Sequence, residues 1–578
     1  MDHTITSKTL RQLARQVNPE SNHKITKFAI LGNRSTQFLS KFIQQSAKIQ
    51  GIHAEIYESD YNQVEAEILN PHSALYQFQP QFVFVVHSLG KLRGDFYDLS
   101  LENKNDFNQS FLAQREMLCQ TLLNHLSAHI ILTNFELSFD GVFGNFANKT
   151  RAAFPNQLRR INTGLMDLAE KISQVHILDI AAMGSLLGLS ALQNPELYIN
   201  ADIPYATDSE AKIAWEFVSI VSVIQGKFKK CLIMDLDNTL WGGIIGDDGM
   251  AGIQIGNLGI GKAFTEIQKW AKQLKERGII LAICSKNQED IAKEPFERHP
   301  EMVLKLDDIA VFVANWSNKA DNIRYIQSVL NIGFDSMVFL DDNPAERALV
   351  RENLPEIEVP ELPEDPAYYL PYLSSLNLFE TNSFSGEDKI RNKQYQEEAK
   401  RKSTEETFID MNDFLKSLNM QGEIRPFQEI NVPRIAQLSQ RSNQFNLRTV
   451  RYSETDILRI KGSSDYLHYE VSLNDKFGQY GLISLVILEK KNASTLFIDT
   501  WIMSCRVLKR RVENYVLNHL VEEARKLGFN RIWGEYLPTE KNEIVKDFYS
   551  ELGFSLLENG VWELEVDGFD SIDHWIGE

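Results

Sequence analysis

Cys231-Leu-Ile-Met-Asp235-Leu-Asp237-Asn-Thr239-Leu-Trp-Gly-Gly243 runs four apolar residues into two carboxylates set two positions apart. The apolar run reads as a buried strand. Open parallel sheets bind ligands beyond the carboxyl ends of their strands, which is where this Asp-x-Asp-x-Thr loop falls. One carboxylate there suits a nucleophile, and a second one two residues on can protonate a leaving oxygen and later activate water. Alone, the pattern is equally that of a turn or a helix cap.

Its surroundings decide between the two. Ile279-Ile-Leu-Ala-Ile283, Ala310-Val-Phe-Val313 and Met337-Val-Phe-Leu340 read as further strands of one α/β sheet, with helical stretches between them. Their ends carry Cys284-Ser285-Lys286-Asn287, Asn318-Lys319 and Leu340-Asp341-Asp342-Asn343-Pro344. Ser285 can donate to a phosphoryl oxygen, and Lys319 can neutralise phosphate and nucleophile together. Asp341 and Asp342 offer the oxygen ligands that Mg²⁺ requires. Thr239, Lys286 and Asn287 complete the expected phosphate and substrate contacts.

These four strand ends resemble those of the haloacid dehalogenase superfamily of phosphatases and phosphotransferases. The resemblance implies that Asp235 is the nucleophile and that Asp237 is the acid/base and a metal ligand through its backbone carbonyl. It makes Ser285 and Lys319 the phosphate holders, and Asp235, Asp341 and Asp342 the carboxylates around the ion. Because Asp341 and Asp342 are adjacent, their side chains are expected to diverge, with only one reaching the metal directly. The separations from Asp237 to Ser285 and from Ser285 to Lys319 each match one connecting βα segment, with no room for an inserted cap domain. The site should lie open. Phosphoryl chemistry gains from excluding water, so a neighbouring domain, a protein partner or a large substrate is expected to complete it.

A chain of 578 residues is long enough for about three domains. No run approaches the roughly 18–20 apolar residues needed to span a bilayer, and the first residues lack a secretory pattern, so a cytoplasmic protein with no membrane partner is expected. Four widely spaced cysteines make neither a disulfide framework nor a CxxC metal site. A net charge of −19 repels phosphate backbones and argues against a nucleic-acid partner.

Buried-strand runs at Lys27-Phe-Ala-Ile-Leu31, Phe82-Val-Phe-Val-Val86, His129-Ile-Ile-Leu132 and Val175-His-Ile-Leu178 alternate with helical stretches, which predicts a parallel α/β domain over 1–225. The phosphotransfer domain follows over 226–375. A charged stretch with little apolar periodicity, 376–405, reads as a connecting helix or linker, and a mixed α/β domain occupies 406–578.

Four stretches narrow the resemblance: Asp235–Gly243 with its Trp-Gly-Gly tail, Leu438–Leu447 with Asn443-Gln-Phe-Asn-Leu447, Asp475-Lys-Phe-Gly-Gln-Tyr-Gly481, and Ser504-Cys-Arg-Val507. In this order they are similar to the FkbH-like family, which forms glyceryl thioesters on acyl carrier protein. That similarity implies a phosphorylated small-molecule substrate, 1,3-bisphosphoglycerate, and an acyl carrier protein as partner. The last domain resembles acyl-CoA N-acyltransferases, but Lys509 and Arg511 stand where that fold has glycines. Arg506, Lys509, Arg510 and Arg511 either receive the phosphate of a carrier-bound phosphopantetheine or form a solvated helix start. Cys505 beside them is either an acyl acceptor with a lowered pKa or a packing cysteine, and Cys284 competes for the first role. Asn443, Gln444 and Asn446 either position a substrate or turn the chain. The first domain resembles the SGNH hydrolases through Gly32-Asn33-Arg34-Ser35. Asp208-Ser-Glu-Ala211 has alanine where that family needs histidine, so the domain is read as non-hydrolytic, a lid or docking surface.

The fold class expected is therefore α/β: two consecutive parallel-sheet domains, SGNH-like and then capless haloacid-dehalogenase-like, followed by a mixed α/β domain like the N-acyltransferases. The expected activity is Mg²⁺-dependent dephosphorylation of a phosphoglyceryl substrate with loading of glyceryl on a carrier thiol. A plain phosphatase of a sugar phosphate or phosphoprotein, and a non-catalytic scaffold, are the rivals. An oligomer is compatible with all three.

Overall fold

The computed structural model describes residues 5–17, 25–137, 139–384, 391–405, 407–442, 444–539, 541–558 and 560–577. The chain gathers into two compact units, 3–224 and 225–578.

In the first unit, β1 (Thr26–Gly32), β2 (Ala54–Glu58), β3 (Phe82–Val86), β4 (His129–Thr133) and β5 (Val175–Leu178) form a parallel sheet in the order β2-β1-β3-β4-β5. Successive strand residues face opposite sides. Ala29, Leu31, Val83 and Val85 enter one core, while Phe28, Ile30, Phe82 and Phe84 enter another. Helices Phe107–His125 and Phe154–Lys171 cover the first side, and Gln37–Ile49 and Thr207–Ile224 cover the second. Burial on both faces is why these strands appear in the sequence as unbroken apolar runs.

In the second unit, β6 (Cys231–Met234), β7 (Ile280–Ser285), β8 (Val311–Ala314) and β9 (Met337–Leu340) form a parallel sheet in the order β8-β7-β6-β9. Leu232, Met234, Leu281 and Ile283 face one core, and Cys231, Ile233, Ile280 and Ala282 the other. The chain builds outward from β6 to β8 and then crosses to the far side of β6 for β9. That reversal makes a switch point at β6, where the ends of adjacent strands leave a crevice.

The charged stretch expected to connect domains is a helix, Arg391–Glu405, and it is not a solvated linker. Tyr395 enters the core beneath β6 and β7, and Asn392 and Arg401 are almost fully buried. Asn392 pairs with main chain on both sides, accepting from Leu281 N and donating to Asp308 O. Gln394 Nε2 reaches Tyr480 O at 3.3 Å. Arg401 forks onto Asp475 at 2.7 and 2.8 Å. Its burial is secured by polar pairing, which apolar periodicity does not reveal.

The remaining strands are β10 (Met420–Pro426), β11 (Tyr466–Asp475), β12 (Gly478–Asn492), β13 (Thr495–Met503), β14 (Arg531–Gly534), β15 (Ser555–Leu556), β16 (Trp562–Glu565) and β17 (Ile576–Gly577). They form one mixed sheet in the order β15-β16-β14-β13-β12-β11-β10-β17, the mixed α/β architecture expected for the last domain. β13 and β14 pair in parallel only from Thr495 to Phe497. Beyond that the segment 445–447 takes up main-chain groups on both sides: Met503 N donates to Phe445 O at 3.2 Å, and Leu537 N to Leu447 O at 2.9 Å.

Candidate active site

The loop after β6 is shaped by its own residues. Leu236, Leu240 and Trp241 are buried, and Asn238 takes a left-handed conformation, φ 53°, which asparagine tolerates better than most residues. Asn238 Oδ1 accepts from Gly243 N at 2.9 Å. The Trp-Gly-Gly tail is fixed by space: a Cβ on Gly242 would lie 2.8 Å from the Phe264 ring. At β8 the chain caps a helix with Asn318, whose Oδ1 accepts from Asp321 N at 2.8 Å, so Lys319 opens the helix Lys319–Leu330. At β9, Asn343 caps the helix Pro344–Asn353 in the same way.

These ends converge on a cavity of about 560 Å³ lined by Asp235, Asp237, Ser285, Asn287, Lys319 and Asp342, among others. Lys319 Nζ lies 2.9 Å from Asp235 Oδ2 and also pairs with Asp341. Burial alone would lower the Lys319 ammonium, but the two carboxylates overrule it and hold it above its ordinary range. Burial, and then the charge of Asp235, push the Asp341 carboxyl up to about 7 against the pull of Lys319. Asp342 is raised by the same two causes in the same order.

Carboxylate atoms of Asp235, Asp341 and Asp342 lie within 4.8 Å of one another. Asp342 lines the cavity, while Asp341 is buried behind it against Lys319. Asp235 and Asp341 share the Lys319 ammonium, and Asp235 Oδ1 is buried with no hydrogen-bond donor among the described residues. Crowded like charge with an orphaned oxygen suits a hard divalent cation such as Mg²⁺. The Asp237 carboxylate stands outside this cluster. Its Oδ1 accepts from Trp241 Nε1 at 2.9 Å and Ile245 N at 3.0 Å, and its Oδ2 from Asn287 Nδ2 at 2.8 Å.

Two expected phosphate contacts do other work. Thr239 is buried outside the cavity lining, and its Oγ1 accepts from Asp342 N at 3.2 Å, bracing the β9 loop. Lys286 lines the cavity but is paired with Glu346 at 2.5 Å. One residue that the sequence reading missed is Arg347, whose Nη1 donates to Asp341 O and Asp342 O at 2.8 and 2.7 Å. The signal was its place one turn after Pro344, where a helix that starts beside the aspartates turns a side chain back toward them.

The remaining expectations lie away from this cavity. Asn443 and the side chain of Cys505 lie outside the described residues. Asn446 is buried and turns the chain, its Oδ1 accepting from Thr449 N at 2.8 Å. Arg506 and Arg510 are buried, whereas Lys509 is exposed and Arg511 half-buried, so only part of the basic cluster is solvated. Lys509 and Arg511 nevertheless adopt the left-handed backbone of the glycines they replace, with φ 64° and 59°. Cys284 is buried, and burial pushes its thiol up to about 12, which rules against a thiolate acyl acceptor there. In the first unit, Arg34 and Glu210 form a fully buried ion pair at 2.6 Å beside Ser35.

A family model described as the FkbH N-terminal domain matches residues 27–222. The crystal structure of the N-terminal part of BF1531 from Bacteroides fragilis, containing a phosphatase domain complexed with Mg, is 46% identical with a TM-score of 0.63. The alignment covers 65% of this chain and 99% of that one. The chain thus carries a haloacid-dehalogenase-type phosphatase domain on the sheet β6–β9. It belongs to the FkbH-like family. The ribosomal-protein-S18-alanine N-acetyltransferase of Escherichia coli is 16% identical with a TM-score of 0.20, over 25% of this chain and 94% of that one. Spermidine N-acetyltransferase from Vibrio cholerae is 15% identical with a TM-score of 0.21, over 25% of this chain and 96% of that one. No curated protein matches the chain. Among the described residues, no helix is long and apolar enough to cross a membrane.

Proposed function

We propose that the chain dephosphorylates a phosphoglyceryl substrate, 1,3-bisphosphoglycerate, and delivers the glyceryl group to the thiol of an acyl carrier protein. The observation that carries the phosphatase half is the convergence of Asp235, Asp237, Ser285, Lys319 and Asp342 on one cavity, with the buried Asp341 paired to Lys319 behind it. Asp235 attacks phosphorus, and the bond to the leaving oxygen breaks as Asp237 gives that oxygen its proton. Asp237 then takes a proton from the water that attacks the aspartyl phosphate, releasing phosphate and restoring the Asp235 carboxylate and the protonated Asp237. Lys319 offsets the charge on Asp235 and on the phosphoryl oxygens, and Ser285 and Asn287 donate to them. Asp235, Asp341, Asp342 and the backbone carbonyl of Asp237 would hold Mg²⁺, which would supply electrophilic charge at the phosphoryl group.

Family membership supports the glyceryl half. There a thiol displaces the acyl phosphate, forming a thioester and releasing the second phosphate. Incubation with 1,3-bisphosphoglycerate and a phosphopantetheinylated carrier tests it by intact-protein mass. A carrier that gains glyceryl bears the reading out. Phosphate release with no gain of mass leaves a plain phosphatase, and equal turnover in Asp235→Asn removes the catalytic assignment.

A further inference from the structure

A second cavity, of about 570 Å³, lies between the sheet β6–β9 and the mixed sheet, at the end of β6–β9 away from the aspartates. Lys230, which precedes β6, Ile280, which opens β7, and Ser336, which precedes β9, form one wall. Leu438, Ser442, Phe445, Ser504 and Arg506 form the other. Five residues at steps of about 3.3 Å separate Lys230 from Asp235, so roughly 16 Å of packed sheet stands between this cavity and the catalytic one. Nothing bound here reaches the nucleophile.

The lining is cationic in a protein whose net charge is −19. Lys230, Arg391, Arg434, Arg506 and Lys541 face two acidic residues, Asp335 and Glu356, and Lys541 is already paired with Asp335. Arg506 is the informative one. It is 7% exposed, and its guanidinium is held by Nη2 on Tyr480 O at 3.1 Å and Nε on Ser504 Oγ at 3.4 Å. Its Nη1 is buried without an acceptor among the described residues. A buried charged donor left unmade is costly, which points to an acceptor from outside the chain. Phe228, Tyr395, Phe445 and Met503 add apolar surface, and the volume suits a small organic molecule better than a bare ion.

We propose that this cavity is a second anion site, holding an organic phosphate ester whose phosphate meets Arg506 Nη1 and whose carbon chain lies along Phe228, Tyr395 and Phe445. The ester arrives either as a free metabolite or on the arm of a carrier protein. Titration calorimetry on the full chain distinguishes these, with 4′-phosphopantetheine, 3-phosphoglycerate, inorganic phosphate and unphosphorylated pantetheine as probes. An organic phosphate should bind at least about tenfold more tightly than inorganic phosphate or pantetheine, and the tighter of the two esters names the source. Arg506→Gln should weaken that binding about tenfold or more. Ser442→Phe, which adds bulk to the cavity lining and keeps Arg506, should do the same and leave turnover of p-nitrophenyl phosphate unchanged. Binding unaltered by Ser442→Phe would place the anion at the aspartates and overturn the proposal. So would no binding at all, or inorganic phosphate matching both esters. Neither result touches the phosphatase reading, which rests on turnover.

Discussion

Trp241 Nε1 donates to Asp237 Oδ1 at 2.9 Å, tying the proposed acid/base to an indole that is itself fully buried. The carboxylate is thereby aimed by the rigid core under its own loop. A hydrogen bond to a charged group is worth about 1.5–3 kcal/mol. Trp241→Phe should lower kcat about 10- to 100-fold with KM little changed. A fall confined to KM would show that the indole shapes binding instead.

Lys319 is paired with both Asp235 and Asp341, and removing one partner of a buried pair costs about 3–5 kcal/mol. Lys319→Met should lose stability of that order without Mg²⁺ and regain part of it when Mg²⁺ is added. Turnover should fall at least about 100-fold. Thermal melts that ignore Mg²⁺ in this variant would argue against an ion at the aspartates.

Cys284 is held as a neutral thiol because burial pushes it up to about 12. In the native protein at about pH 8 it should resist alkylation and react once the chain is unfolded. Peptide mapping after iodoacetamide treatment checks this. Cys284→Ala should keep any glyceryl adduct, and an adduct found on the Cys284 peptide would reverse the assignment.

Burial alone would raise Asp475, yet the Arg401 fork and the N–H groups of Phe477 and Gly478 hold it below the usual carboxylate range. A carboxyl depressed in the folded state contributes stability above its unfolded pKa of about 3.9 and loses it as pH falls through the lower folded value. Asp475→Asn takes the carboxylate fork from the buried Arg401, which keeps the more distant Glu398 and Glu397 at 3.4 and 3.9 Å, and should cost about 1.5–3 kcal/mol near neutral pH. The gap to wild type in urea melts should close below about pH 4; a constant gap would mean that packing, not charge, is lost.

The sheets and the catalytic strand ends were legible because parallel strands buried on both faces leave unbroken apolar runs, and each run here empties into a polar cluster. The strut Arg391–Glu405 was not, since Asn392, Gln394 and Arg401 are buried by pairing with main chain and carboxylate. Thr239 and Lys286 have the right chemistry at the right end of the sheet, and only side-chain direction shows that one braces Asp342 N and the other holds Glu346. Asn443-Gln-Phe-Asn-Leu447 was read as a choice between ligand contact and chain turning. Residues 445–447 lie in the gap where β13 and β14 part, which is a third role that composition cannot convey.

The strut also decides how the second unit comes apart. Its amides stitch loops of the phosphatase sheet to the β11–β12 hairpin, so neither side can melt without stranding polar groups that the other was satisfying. Heat should therefore disassemble residues 225–578 in a single endotherm, and a protease cutting within the strut should weaken both halves at once.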